Sequence, residues 1–201
     1  MTGISLKEIL TVLSIVLIFV GYIPYIRDIF KGKTQPHIFS WIIWSILNFC
    51  LFWLQRDAWA WFASWIVLIL WINSTFITFL GFKCWKKDIR KIDIFFFGTA
   101  LLAIPLWLLL DQALLSTIIV TGIGVFAFAP TIRKTWVNPY SETVVTYVIT
   151  TFRHVFTILA LSEYNIITVI FPGIWVCINL SFLIMIEYRR KTIKPLKNDS
   201  L

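Results

Sequence analysis

The sequence predicts an all-α integral membrane protein of seven transmembrane helices, arranged as two parallel three-helix repeats joined by a linker helix. Three observations predict it. First, the 201-residue chain is 59% hydrophobic and 14% charged, with a mean hydropathy of +0.86. That is more apolar sequence than one soluble core of this size buries. Second, seven apolar stretches, about 9–27, 38–55, 60–82, 93–110, 113–132, 143–161 and 165–187, match the roughly 17–25 residues a bilayer-crossing helix needs. Third, the chain repeats itself at an offset of 106 residues. Gly21-Tyr-Ile-Pro-Tyr-Ile-Arg-Asp-Ile-Phe lies over Ala127-Phe-Ala-Pro-Thr-Ile-Arg-Lys-Thr-Trp. Carried forward, the offset puts Ser40-Trp41 on Thr146-Tyr147 and Ile72-Asn73 on Ile178-Asn179. Duplication at long range is a mark of repeat-built membrane folds.

The first stretch runs into Pro24 and a basic loop without a small-residue cleavage pattern, so it reads as a retained helix rather than a removed signal peptide. With the second and third it forms one unit, residues 1–91. The fourth, with Phe95, Phe96, Phe97 and Pro105, matches neither copy and reads as a linker, residues 92–112. Its role follows from counting. Three crossings leave the chain on the opposite side, and one more restores the orientation, so residues 113–201 form a parallel second repeat with a basic tail. Pro24 and Pro130 fall at equivalent places in the first helix of each repeat, each followed by Ile-Arg two residues later. Proline inside a helix removes a backbone hydrogen bond, and the pair reads as hinges, the alternative being simple bends.

A net charge of +8 would point to nucleic acid in a soluble protein. Here the charges sort by loop. With the N-terminus outside, 15 of the 18 Lys and Arg fall in inner loops and tail, among them Arg27, Lys31, Lys33, Lys83, Lys86, Lys87, Arg133, Lys134, Arg189, Arg190 and Lys197. Lys7 and Arg56 are outer, and Arg153 falls within a span. The positive-inside rule then places the N-terminus outside and the C-terminus in the cytoplasm of a plasma or inner membrane, with no nucleic-acid partner. Cys50, Cys84 and Cys177 are too few and too apolar in setting for a disulfide framework.

The stretch Ile23-Pro24-Tyr25-Ile26-Arg27-Asp28-Ile29-Phe30-Lys31-Gly32-Lys33-Thr34-Gln35-Pro36-His37-Ile38-Phe39-Ser40-Trp41 resembles the PQ-loop pattern of the MtN3/saliva superfamily, which holds the SWEET sugar transporters and their half-size SemiSWEET relatives. Pro24 takes the place of the motif proline, Lys33-Thr34 that of the Lys-Ser pair, and Ser40 that of the later serine. Pro130 and Thr146 match in the second copy. Tyr25 and Thr131 stand where the family has glutamine, and Asn138-Pro139-Tyr140 where it has Lys-Ser. The resemblance covers the whole chain in its three-plus-one-plus-three layout. It implies a carrier fold, one that also hosts PnuC-type vitamin carriers and KDEL-type receptors.

Asn73 and Asn179 are equivalent amides near the middle of the third helix of each repeat, and a carboxamide at that depth needs partners. They read as substrate-binding rather than as helix–helix glue, and the resemblance adds that SWEETs place an asparagine on each third helix against the sugar. Trp175, one turn before Asn179, shares its face, whereas Trp71 points elsewhere. Trp41, Trp44 and Asn48 form a stripe whose copy is Tyr147, Thr150 and His154, so Trp44, Asn48 and His154 join the expected pocket. Arg153 either snorkels outward to Glu163 or Asp111, the preferred reading, or faces the pocket, where it would favour a carboxylate or phosphate. Trp53, Trp59, Trp61, Trp65, Trp107, Trp85 and Trp136 read as interfacial belts.

No Asp or Glu lies inside the predicted stretches, their end positions Asp93 and Glu187 aside, which favours facilitated movement over ion-coupled pumping. His37 and His154 are far apart, and neither metal-ligand spacing nor a phosphate loop occurs, so no cofactor, no metal and no enzyme activity are expected. The expected function is movement of a small polar solute, a sugar first, by alternating access as a uniporter. A PnuC-like vitamin or nucleoside carrier and a receptor or assembly protein are the alternatives, with homo-oligomerisation open.

Overall fold

The computed structural model describes residues 5–57, 61–83 and 89–194, side chains at 54–57, 61–64 and 66 excepted. These residues form seven α-helices: α1 (Leu6–Phe30), α2 (Ile38–Asp57), α3 (Trp61–Lys83), α4 (Lys91–Leu108), α5 (Ala113–Val137), α6 (Val144–Leu159) and α7 (Ile166–Thr192). Local chemistry fixes several ends. Ser5 caps α1, its hydroxyl accepting from the Glu8 amide while the Glu8 carboxylate accepts from the Ser5 amide. Past the other end of α1, Gly32 takes φ 66° and its amide reaches back to the Ile29 carbonyl, a conformation that glycine adopts without steric cost. Asn165 caps α7 through the amides of Ile167 and Thr168.

Four helices, α1, α4, α5 and α7, are long and apolar enough to cross a bilayer; α2, α3 and α6 carry shorter apolar segments, Ile38–Trp53, Val67–Lys83 and Val144–Leu159. The outer faces are as apolar as the interior: Leu102, Ile184, Ile23 and Ile72 are all well exposed. Contiguous exposed apolar surface on this scale belongs against lipid, and the chain is a helical membrane protein.

Among the described residues, α1 packs along α6, α2 along α3 and against α5, α6 along α7, and α5 along α7. Exchanging α1 with α5, α2 with α6 and α3 with α7 maps this pattern onto itself. The exception in strength is α1 with α3, which touch lightly where α5 and α7 pack closely. The helix between the triplets, α4, lies on α5 and α2. The core follows suit. Tyr25, Ile29, Trp41, Ile77 and Leu80 cluster in the first triplet, Phe128, Tyr147, Phe182 and Ile186 in the second, and Ile43, Leu47, Ala100, Ile104, Trp107, Ile123 and Ala127 join α2, α4 and α5. Trp44 packs against all three clusters.

The structure corrects several expectations. Trp107, expected in an interfacial belt, is buried in the core and donates its indole N–H to Ser116 Oγ at 2.7 Å. Arg133 and Lys134, expected in a loop, lie in the last turns of α5, because that helix runs five residues beyond its apolar stretch. Trp53 and Trp65 are about half exposed, and so is Trp136, which holds the Arg189 guanidinium over its ring at 4.5 Å. Trp59, Trp61 and Trp85, with Cys84, Arg56, Lys86, Lys87 and Lys197, lie outside the described side chains. Pro24 and Pro130 both sit within continuous helices.

Candidate functional site

A cavity of about 300 Å³ lies between the triplets, walled by α1, α2, α3, α5, α6 and α7. Its size suits a single-ring ligand, being at the lower end of the usual range for small-molecule sites. Six of the seven expected site residues line it: Trp44, Asn48, Arg153, His154, Trp175 and Asn179. Asn73 does not. It is half-buried on α3, and the next residue, Ser74, is the one turned toward α2, where its hydroxyl accepts from Asn48 Nδ2 at 3.4 Å. The symmetry argument for Asn73 assumed that α3 sits on α1 as α7 sits on α5, and that contact is light.

The polar wall comes from α6. Thr146, Thr150, Arg153 and His154 fall on one face at helical spacing and all line the cavity. Because α6 lies between α1 and α7, that face turns into the bundle. Arg153 does not reach outward for Glu163 or Asp111, so the preferred snorkelling reading is corrected. Its Nη2 lies 2.6 Å from His154 Nε2. Guanidinium only donates, so Nε2 accepts and the imidazole is neutral, with its proton on Nδ1. The His154 ring stacks at 6.2 Å and 10° on the Trp175 indole. Among the described residues no carboxylate pairs with Arg153.

Trp175 packs closely against α5. A Cβ at Gly124 would stand 3.1 Å from its Cζ2, so only glycine lets α5 approach the indole this closely. Asn179 Nδ2 donates to the Trp175 carbonyl at 2.8 Å, which orients the amide along its own helix. Two lining groups are buried without a hydrogen-bond partner, Trp175 Nε1 and Thr146 Oγ1. Unsatisfied buried polar atoms cost roughly 1–3 kcal/mol each. Both residues line the cavity.

Below the cavity the chain is knitted shut at the end where α1 and α5 finish and α2 and α6 begin. Tyr147 donates to Glu142 Oε2 at 2.8 Å, and Glu142 Oε1 pairs with Lys134 Nζ at 2.5 Å, both charges buried. Lys134 also donates to the Gln35 carbonyl of the opposite triplet. The Gln35 amide bonds the Ser141 carbonyl at 3.0 Å, Thr34 and Thr143 share a 2.5 Å contact, and Thr143 donates to Asp28 Oδ2 at 3.1 Å. Beside this seal Asp93, fully buried, accepts from Arg133 Nε at 2.8 Å and lies 3.6 Å from His37 Nε2. Glu142 and Asp93, which flank the apolar stretches, are thus both buried in pairs with cations at this end.

Sequence reasoning also missed Tyr22, Tyr25, Phe128 and Phe171 as lining residues. The 106-residue offset held a signal for two of them, since it places Tyr22 on Phe128. No family model, no curated protein and no solved structure matches the chain.

Proposed function

We propose that this protein is a carrier that moves a small polar solute across a membrane by alternating access. The supporting observation is the cavity between the two triplets, apolar and aromatic for most of its wall, with Arg153, Thr146 and Trp175 among its lining residues and a hydrogen-bonded seal at one end. A closed floor beneath a solute-sized chamber is what one half-cycle of such a carrier requires. The seven helices then act as seven spans in a three-plus-one-plus-three layout, with α1–α3 and α5–α7 as parallel repeats, α4 the linker, and the N-terminus outside. The exchange pattern of helix contacts agrees with that layout, and so does the PQ-loop resemblance of the first α1–α2 segment. Pro24 and Pro130 are the positions at which α1 and α5 would flex as the seal at Gln35, Glu142 and Thr143 opens. Movement is downhill, as a uniporter.

The test is counterflow in proteoliposomes. Vesicles preloaded with a solute should take up its labelled form faster with the protein than without, for at least one member of a panel of monosaccharides, sugar acids, nucleosides and small aromatic acids. Acceleration for none, from protein that still binds one of them in a fluorescence titration, overturns the carrier reading and assigns the chain to receptors.

A further inference from the structure

We infer that the solute is a single-ring organic monoanion, its carboxylate seated on Arg153 and a hydroxyl or carbonyl at its far end meeting Thr146 Oγ1. This rests on the carrier reading above. It replaces the neutral sugar expected from the sequence.

Charge is the first ground. Of the five guanidinium donors, the hydrogen bonds of Arg153 occupy one, to His154. The remaining donors keep the fork that matches a carboxylate. The other titratable groups that face the cavity are Tyr22, Tyr25, Tyr147 and His154. His154 is neutral as an acceptor, and the tyrosines are neutral phenols at physiological pH. Beneath the floor, Glu142 and Lys134 cancel one another. Among the described residues the lining therefore carries one uncompensated positive charge, which a neutral sugar would leave unpaired and a monoanion neutralises.

Shape is the second ground. Thr146 and Arg153 lie seven residues apart on one face of α6, roughly 10 Å along the axis. A ring with an acid at one end and a polar substituent at the other spans that interval. Trp44, Phe128 and Trp175, with centroids about 6 Å apart, supply flat apolar surface for its body. A dianion such as a phosphate monoester would bring more charge than the single guanidinium matches.

The experiment uses matched pairs of equal shape, 4-hydroxybenzoate against 4-hydroxybenzamide and glucuronate against glucose. Binding is read from tryptophan fluorescence of the full chain in nanodiscs, and flux from counterflow in proteoliposomes. The acid of at least one pair should bind roughly tenfold or more tightly than its neutral mate, as expected for a charge-assisted bond. Arg153→Gln should bring the ratio close to one, and Arg153→Lys should keep part of it. Thr146→Val gives a second readout that does not depend on the arginine: it should weaken 4-hydroxybenzoate and leave benzoate unchanged. Acid preference with no flux leaves the anion class standing and removes the carrier. Glucose or 4-hydroxybenzamide bound as tightly as its acid, an acid preference that survives Arg153→Gln, or no binding of either acid overturns the inference, whatever the flux.

Discussion

The two triplets share a scaffold and divide the chemistry. At equivalent positions of the lining, the first contributes Trp41, Trp44, Leu47 and Asn48 where the second contributes Tyr147, Thr150, Arg153 and His154. The first half of the wall is therefore largely aromatic and aliphatic, and the second carries the charge and most of the hydrogen-bonding groups. At the sealed end the contrast recurs. The second half buries the Lys134–Glu142 pair, whereas the first has Arg27–Asp28, in which Arg27 is more than half exposed. A shared pattern of helix contacts thus leaves each triplet free to specialise, provided that the surfaces where the triplets meet stay compatible.

The sharpest way to break the comparison is at the sealed end. Glu142→Gln leaves Lys134 buried without its counter-charge and should cost about 3–5 kcal/mol in unfolding free energy. Asp28→Asn, beside an exposed arginine, should cost about 1 kcal/mol or less. Reversible unfolding in mixed micelles measures both. Joint replacement, Lys134→Met with Glu142→Leu, should recover most of the larger loss, since a matched apolar pair needs no compensation.

The amides give the next largest contrast. Asn179 lines the cavity and is 2% exposed. Asn179→Ala should reduce counterflow by roughly tenfold, because it removes a polar group from the wall. Asn73→Ala, outside the lining, should stay within about twofold of the parent. Equal losses at both positions would restore the symmetric site that the sequence suggested.

The smallest expected effects concern the prolines. Pro24→Ala and Pro130→Ala each return a backbone donor to its helix and should slow counterflow by about two- to threefold with binding unchanged. The buried Pro130 should show the larger change, and a rate unaffected by both would remove the hinges.

Helices were legible in the sequence because each is a long apolar run. The expected stretch 113–132 became Ala113–Val137 and 165–187 became Ile166–Thr192, each extended at its basic end. The α6 stripe was legible too, since placing one copy over the other put Thr150 on Trp44 and His154 on Asn48. What stayed hidden depends on contacts between distant positions. Lys134 reads as a loop cation until Glu142 and Gln35 close on it, and Trp107 reads as interfacial until Ser116 accepts its proton. Asn73 failed for a related reason: equal spacing along the chain does not impose equal rotation of α3 and α7 about their axes.

Helix α6 has 16 residues beside 25 in α1 and 27 in α7. In the seven-span reading it offers roughly 24 Å of helix to a hydrocarbon layer of roughly 30 Å. Lipid next to α6 must thin to cover it, at a modest cost for each ångström of mismatch. The element that carries Arg153 is thereby the one most sensitive to acyl-chain length. Thinner bilayers should relieve that tension, which makes membrane thickness a control on this protein independent of its solute.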